Sequence, residues 1–196
     1  MGVEFELKYA ATPEKQDKLL AQLSPVDTLQ MCTTYFDTPD HALSARHITL
    51  RLRQENNTTV CTVKTPLPDG SRGEWECFCE NIEVGVSELC KLGAPLELLS
   101  LTAPGLQPVC GAVFTRRLRL LDLGECTVEI ALDRGFLMGG GNRLPLCEVE
   151  VELKSGSRTH AAAYGSHIAK TYDLQPESRS KFRRALALAR GEEDGV

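Results

Sequence analysis

The sequence lacks any apolar run that approaches the roughly 18 consecutive residues of a membrane-spanning helix. It also lacks a C-x-x-C pair, and its four histidines show no metal-ligand spacing with its eight cysteines. These absences argue against a zinc site or a disulfide framework and favour reduced thiols, so we expect a cytoplasmic protein. Glu4 and Glu6 agree with this expectation, because a secretory signal needs an apolar core at this point.

An excess of basic charge and a phosphate-binding glycine loop are also missing. The 22 lysines and arginines are outnumbered by 27 acidic residues, which gives a net charge of -5, so we expect no nucleic-acid partner. Gly139, Gly140 and Gly141 are not followed by Lys-Ser or Lys-Thr, and they therefore predict a turn. Ser178 and Ser180 have no evident histidine partner, which argues against a serine nucleophile.

The 196 residues, 42% of them hydrophobic, suffice for one domain, which we expect over 1–190, followed by a disordered tail at 191–196. Strand-like runs follow one another with few crossover helices. This succession favours an α+β fold built on an antiparallel barrel or sandwich with helices outside. Strands are predicted at 3–10, 30–36, 48–54, 59–65, 73–80, 112–122, 126–133 and 146–154, helices at 13–23, 86–92, 157–172 and 180–190, and an irregular segment at 94–108.

Charged side chains alternate with apolar ones along these strands, so each strand has one ionisable face. For a single strand, an ordinary solvated sheet face explains the pattern. Taken together, however, the strands segregate basic from acidic rows, although like charges two residues apart repel. Opposed rows are explained if a triphosphate-like anion and a hard divalent cation lie between them. The charged faces contain Glu4, Glu6, Lys8, Arg51, Arg53, Lys64, Glu74, Glu76, Glu129, Asp133, Glu148, Glu150 and Glu152.

An ordered set of motifs runs through nearly the whole chain and resembles the CYTH superfamily of triphosphate tunnel metalloenzymes. Within that superfamily it is most similar to the bacterial inorganic triphosphatase type. The motifs are the E-x-E-x-K of residues 4–8, the Y-x-D-T of 35–38, the paired arginines Arg51 and Arg53, the lysine strand of 62–64, Arg116, the E-x-A-x-D-like strand of 129–133, the acidic strand of 148–152 and the S-x-S-K of 178–181.

The resemblance implies an eight-stranded antiparallel β-barrel, or tunnel, with a charged interior and helices packed outside. It implies hydrolysis of inorganic triphosphate to diphosphate and phosphate with Mg²⁺ or Mn²⁺. The implied phosphate-binding residues are Lys8, Arg51, Arg53, Lys64, Arg116 and Lys181, with Glu129 and Asp133 orienting them or a water. The implied metal ligands are Glu4, Glu6, Glu148 and Glu150, with Glu152 as a further candidate. For catalysis, Lys8 would polarise the bridging or departing oxygen, and Glu76 would position the attacking water. Asp37 is a further catalytic candidate.

Other activities remain open on the same residues. An adenylate cyclase of the same superfamily would need an adenine pocket, and a thiamine triphosphatase would need a pocket for an organic cation. A noncatalytic module that binds polyphosphate or nucleotides would retain the basic rows but would lack much of the acidic row. The resemblance also implies a CHAD domain as a partner in a longer parent chain. Arg117 and Arg119 are out of phase with Arg116, which leaves open which of these arginines face inward.

Overall fold

The computed structural model describes residues 2–3, 5–67 and 72–192. Over these residues the chain forms ten strands and six helices. The strands are β1 (Gly2–Val3), β2 (Glu6–Ala10), β3 (Asp27–Asp37), β4 (Thr49–Glu55), β5 (Thr58–Pro66), β6 (Arg72–Phe78), β7 (Gln107–Asp122), β8 (Cys126–Gly139), β9 (Asn142–Gly156) and β10 (Gln175–Pro176). The helices are α1 (Pro13–Leu23), α2 (Ala42–Ala45), α3 (Ile82–Lys91), α4 (Glu97–Thr102), α5 (Arg158–Thr171) and α6 (Lys181–Arg190).

The strands form one antiparallel sheet whose two ends are joined by the N-terminal segment. The strand order is β1-β6-β5-β4-β3-β7-β8-β9-β2-β10. β1 pairs with β6, whereas β2 begins only three residues later and pairs with β9. Because one short stretch of chain borders both ends of the sheet, the sheet curves round into a tunnel. With β1 and β2 taken as one N-terminal strand, and with the two-residue β10 at the sheet edge left aside, eight strands remain, and the predicted antiparallel fold with outer helices is confirmed.

The outer face of one half of the sheet is covered by two helices. Ile130, Val149 and Val151 are fully buried there, and they pack with Leu19 of α1 and Ile168 of α5. These strand residues alternate with the acidic positions of β8 and β9. Their burial on the outer face therefore directs the acidic side chains inward.

The outer face of the other half has its own apolar core. Leu50, Val63 and Trp75 pack there with Val86 and Leu89 of α3. These strand positions alternate with the charged residues of β4, β5 and β6. Both halves of the sheet thus place apolar side chains outside, under helices, and ionisable side chains inside.

Helix α6 occupies a different position, because it packs on the inner face of the sheet. Ala185 is fully buried with Ala112, Phe114 and Leu137, which have the inward phase of their strands. At Gly139 an added Cβ would lie 2.5 Å from the carbonyl oxygen of Ala185, so the helix touches the backbone of β8 directly. The first turn of α6 is thereby held at the side of the tunnel interior.

Three helical segments differ from the sequence-based expectation, and one of them is α2 (Ala42–Ala45), which was not predicted. Helix α3 begins at Ile82 and not at 86, because Asn81 caps it by accepting a hydrogen bond from the backbone of Val84 at 2.9 Å. Helix α4 lies within 94–108, which was predicted to be irregular. The prolines of this segment favoured an irregular structure, but burial of Leu98 stabilises a short helix there.

The last hairpin is longer than predicted. β8 continues to Gly139 and β9 starts at Asn142, whereas the predicted strands ended at 133 and resumed at 146. Gly140 and Gly141 have φ values of 57° and 79°, which fits the predicted glycine turn. The predicted turn at 68–70 lies outside the described residues, and so do residues 193–196 of the predicted tail.

Two further observations bear on the environment of the protein. In the described part of the chain, none of the helices has both the length and the apolarity needed to cross a membrane. All eight cysteine thiols are free.

Candidate active site

The inward faces of the strands enclose a cavity of about 590 Å³. The structure brings most of the site residues expected from the sequence to its walls. Three others, Asp37, Asp133 and Glu148, do not line it, and Glu4 lies outside the described residues. The expected residues that line the cavity are Glu6, Lys8, Arg51, Arg53, Lys64, Glu76, Arg116, Glu129, Glu150, Glu152 and Lys181.

One wall carries a basic row on β4 and β5 that faces acidic residues on β6. Register explains the arrangement, because Arg51 lies opposite Thr62, which lies opposite Glu76. Arg51 Nη2 is 3.5 Å from Glu76 Oε1, and Thr62 donates a 2.8 Å hydrogen bond to the same oxygen. Arg53 Nη2 is 3.9 Å from this carboxylate, so two arginines share it. A substrate anion would meet a wall of preorganised guanidinium groups here.

The charges of this wall alter the protonation equilibria of its members. Burial would raise the pKa of Glu76, but Arg51, the hydrogen bond from Thr62 and Arg53 together hold it below its ordinary value. Burial, followed by repulsion from Arg51, lowers the pKa of Arg53. Glu76 is therefore ionised at neutral pH and available to accept a hydrogen bond from a water.

The opposite wall contains a buried cluster of carboxylates and cations. Asp133, Glu148 and Glu150 each offer an oxygen within 4.8 Å of the others. Lys181 Nζ, at the start of α6, lies 2.7 Å from Asp133 Oδ2 and 2.6 Å from Glu150 Oε1, and it also contacts Glu148. Arg116 donates two hydrogen bonds to Asp133, at 2.8 and 2.7 Å. The remaining ion pairs of the cluster are Arg116 with Glu150 and Arg184 with Glu148.

Proton binding within this cluster follows from burial and charge. Burial disfavours ionisation of Glu150, but Lys181, Arg116 and Lys8 hold its pKa well below the ordinary value. Burial raises the pKa of Glu148, and the neighbouring charge of Glu150 acts in the same direction. Burial alone would lower the pKa of Lys181, yet the surrounding carboxylates raise it. Lys181 therefore stays charged and links the inner helix to the wall.

A second set of acidic residues forms a row across three neighbouring strands. Glu6, Glu152 and Glu129 lie directly opposite one another on β2, β9 and β8. Lys154 Nζ is 2.8 Å from Glu152 and 3.6 Å from Glu129, and Lys8 Nζ is 3.8 Å from Glu6. Neighbouring carboxylates in one row repel, so a divalent cation bound between them would relieve that repulsion.

Asp37, expected from the sequence as a catalytic candidate, has another role in the structure. Its carboxylate is fully buried and accepts backbone hydrogen bonds from Thr38 at 2.8 Å, Leu43 at 2.9 Å and Ser44 at 3.1 Å. These bonds secure the short helix α2 and the turn before it. The structure therefore places Asp37 away from the cavity, in a capping position.

Some charged residues at the site were not selected from the sequence. Arg72 and Lys154 line the cavity, and they continue the inward phase of β6 and β9 respectively, which is the signal that could have identified them. Arg184 lies one helical turn after Lys181 on α6. Sequence alone could not reveal that α6 packs inside the sheet, so this contact to Glu148 was not predictable.

The structure also distinguishes among the three arginines of β7. Arg116 lines the cavity, whereas Arg119 donates hydrogen bonds outside it to the carbonyl oxygens of Leu23 and Ser24, at 2.6 and 3.3 Å. Arg117 has the same outward phase as Arg119 and does not line the cavity. Strand alternation thus selects the single arginine of this strand that can reach a bound anion.

The donor chemistry of the site fits a hard divalent cation. All the candidate ligands are carboxylate oxygens, which Mg²⁺ and Mn²⁺ accept and which do not favour soft metals. The cluster of Asp133, Glu148 and Glu150 could hold such an ion. Its three negative charges are, however, already matched by Lys181, Arg116 and Arg184, so a cation would have to compete with these side chains there.

The fold and the site together define a class of protein in which a curved antiparallel sheet packs its apolar face under helices and directs its ionisable face into a tunnel. The CYTH domain family matches residues 2–186, and the chain belongs to this family. The chain is 29% identical over 192 residues to an inorganic triphosphatase from Haemophilus influenzae, with 94% of this chain and 54% of that protein covered. The chain thus spans about half the length of this curated relative.

Solved structures agree on the fold. A protein from Bacillus halodurans with a provisional adenylate cyclase assignment superposes with a TM-score of 0.65 at 21% identity, covering 93% of this chain and 96% of that one. A provisionally assigned adenylyl cyclase from Hippeastrum, described as having a dominant triphosphatase activity, superposes with a TM-score of 0.63 at 19% identity. It covers 96% of this chain and 95% of its own. At these identities the likeness establishes the shared tunnel fold.

Proposed function

We propose that the protein hydrolyses inorganic triphosphate to diphosphate and phosphate inside the tunnel, in the presence of Mg²⁺ or Mn²⁺. The observation that carries the proposal is the convergence of Lys8, Arg51, Arg53, Lys64 and Arg116 on one enclosed cavity. A linear triphosphate has several negative charges near neutral pH, and cations on several walls could neutralise them together. Membership of the CYTH family and the triphosphatase relative support this choice of substrate.

The basic wall would bind and orient the phosphate chain. Arg51 and Arg53 present guanidinium groups, whose planar donors suit phosphate oxygens, and Lys64 adds a point charge 3.2 Å from Glu74. Lys8 lies opposite Glu150 on the facing wall, where it would polarise the bridging or departing oxygen. Holding the chain between two walls would fix it for in-line displacement by water.

Glu76 is the residue that we assign to the attacking water. Its carboxylate is ionised because of Arg51, Thr62 and Arg53, and it lines the cavity beside the basic row. An ionised carboxylate can accept a hydrogen bond from water and orient its lone pair toward phosphorus. Replacement of Asp37, which caps α2, would not remove this interaction.

Of the expected metal ligands, we assign Glu6 and Glu152 to the cation, because they line the cavity and form one cross-strand row with Glu129. A divalent cation bound there would supply charge neutralisation to the phosphate oxygens and the leaving group. Glu148 and Glu150 are committed to Lys181, Arg116 and Arg184, and we assign them to positioning these cations.

We further propose that residues 1–190 act as a single tunnel domain in the cytoplasm, without a nucleic-acid partner. We also propose a CHAD domain as a partner in a longer parent chain. Expression of the given chain, followed by limited proteolysis with mass spectrometry, tests the domain boundary. A resistant fragment that ends well before 190 would contradict it.

The activity is tested by phosphate release from triphosphate, ATP and thiamine triphosphate, each with Mg²⁺, Mn²⁺ or EDTA. We expect release from triphosphate to be fastest and to stop in EDTA. Pyrophosphate release from ATP would instead identify an adenylate cyclase, and a preference for thiamine triphosphate would identify the organic substrate. Tight triphosphate binding without turnover would identify a noncatalytic module.

Matched variants test the assigned residues. Lys8→Ala should abolish phosphate release, whereas Lys170→Ala, on the exposed side of α5, should leave it unchanged. Glu6→Gln should raise the metal concentration needed for half-maximal rate, and the exposed Glu125→Gln should not. Thermal unfolding of all four variants checks that the fold persists. Wild-type rates in Lys8→Ala would refute the assignment of that residue.

A further inference from the structure

The cations that line the tunnel differ in how far carboxylates already neutralise them. Among the described residues, seven of the eight lining lysines and arginines have a carboxylate oxygen within 4.0 Å, and Arg72 does not. The neutralised cations are Lys8, Arg51, Arg53, Lys64, Arg116, Lys154 and Lys181.

Arg72 is held in place by neutral oxygens only. Its Nη2 donates to the carbonyl oxygen of His47 at 3.3 Å, to Thr49 Oγ1 at 3.2 Å and to the carbonyl oxygen of Lys64 at 3.4 Å. Its Nε is buried and has no hydrogen-bond partner in the described part of the chain. The guanidinium is thus fixed in position while it retains its full charge and an unused donor.

Such an arrangement is unfavourable unless an anion completes it. A partly desolvated charge without a counter-ion costs free energy, and an unsatisfied buried donor adds to that cost. A phosphate oxygen would supply both the negative charge and the acceptor, and the planar guanidinium suits phosphate geometry. Among the lysines and arginines that line the cavity, Arg72 is therefore the one whose unfavourable environment a bound anion would improve most.

The position of Arg72 along the wall indicates which part of an anion it would meet. Inward residues of one strand are spaced about 6.6 Å apart, because a strand rises about 3.3 Å per residue. Arg53, Arg51 and Thr49 occupy three successive inward positions of β4, and Arg72 is hydrogen-bonded to the last of them. Arg72 and Arg53 consequently lie at opposite ends of the basic row, with about 13 Å between the backbone positions of Arg53 and Thr49.

We propose that Arg72 binds the terminal phosphate group of a linear triphosphate, at the end of the chain away from Arg53, and thereby selects triphosphate over diphosphate. The inference rests on the proposed function, because it takes a phosphate chain as the ligand of the tunnel. Arg72 then determines specificity and takes no part in bond cleavage. A chain of two phosphates bound at Arg51 and Arg53 would not extend to it.

Isothermal titration calorimetry with inorganic triphosphate and with diphosphate, both in EDTA to prevent turnover, tests this assignment. Arg72→Gln should weaken triphosphate binding roughly ten- to hundredfold, the loss of one charge-assisted contact. Diphosphate binding should stay within about twofold, as for a residue that makes no contact. Arg72→Lys, which keeps the charge without the planar donors, should recover only part of the affinity.

Arg117→Gln is the matched control, because it removes the same charge from an outward position of β7. Its triphosphate affinity should equal that of the wild type, and circular dichroism should show all variants folded. Unchanged triphosphate binding in Arg72→Gln, or an equal loss for diphosphate, would overturn the inference. Binding of triphosphate by the wild type in EDTA, together with no phosphate release in the assay with Mg²⁺ or Mn²⁺, would refute the proposed hydrolysis alone, whereas absence of triphosphate binding would overturn both.

Discussion

Replacement of Lys181 by methionine should destabilise the protein strongly, because the ammonium group balances a buried cluster. Asp133, Glu148 and Glu150 contribute three negative charges, and Lys181, Arg116 and Arg184 contribute three positive ones. The substitution therefore leaves one buried negative charge uncompensated. Removal of one partner from a buried ion pair costs about 3–5 kcal/mol, and we expect a fall of this size in the free energy of unfolding at pH 7.

The destabilisation caused by Lys181→Met should depend on pH. In the wild type the pKa of Glu150 is lowered, so its ionisation contributes stability above its unfolded pKa, and this is lost as the pH falls through the folded value. In Lys181→Met the buried carboxylates lack one compensating cation, so their ionised forms destabilise the folded state. This destabilisation is largest at neutral pH and disappears as the carboxylates bind protons. The difference between variant and wild type should thus shrink between about pH 7 and pH 4.

Urea denaturation followed by circular dichroism measures both effects. Lys91→Met is the matched control, because Lys91 Nζ lies 2.7 Å from Glu88 on the exposed face of helix α3, about the same distance as Lys181 from Glu150. An exposed pair of this kind contributes about 0–1 kcal/mol, so the control should remain close to the wild type. Equal losses in the two variants, or a deficit that does not change with pH, would refute the charge-balance argument.

Two further predictions concern the fold around the site. Asp37→Asn should lower the free energy of unfolding by about 1–2 kcal/mol through weakened capping of α2, while kcat for phosphate release stays unchanged. Urea denaturation measures the stability, and steady-state assays measure kcat. A loss of kcat without destabilisation would show that Asp37 is a catalytic candidate after all. Gly139→Ala should cost about 1–3 kcal/mol, because the new Cβ would lie 2.5 Å from the carbonyl oxygen of Ala185 and 2.7 Å from the backbone nitrogen of Ala189. Thermal unfolding measures the loss, and a Tm equal to that of the wild type would show that α6 moves freely.

Much of the tunnel wall was predictable from local patterns. Alternation along strands determines which side chains share a face, so the inward phase of Arg51, Arg53 and Lys64 follows from their spacing. The same rule applies to Glu150 and Glu152. Apolar residues at the intervening positions require burial under helices, and this requirement turns the ionic faces toward the interior.

Other parts of the site depend on contacts between residues distant in sequence. Asp37 was expected from the sequence to be a catalytic candidate, yet its carboxylate accepts hydrogen bonds from the backbone of α2, a helix that local sequence did not predict. Arg72 follows the inward phase, but its lack of a carboxylate partner among the described residues is visible only when β4 and β5 are placed beside it.

The amphipathic alternation of the chain thus specified the strands and their ionisable inward faces, because a side chain's face follows from its position along a strand. Alternation carries no information about which cation meets which carboxylate across the sheet. That pairing arises from register, from the N-terminal segment that borders both ends of the sheet and from the packing of α6 on the inner face, where Lys181 contacts three carboxylates. Within residues 2–3, 5–67 and 72–192, Arg72 contacts no carboxylate.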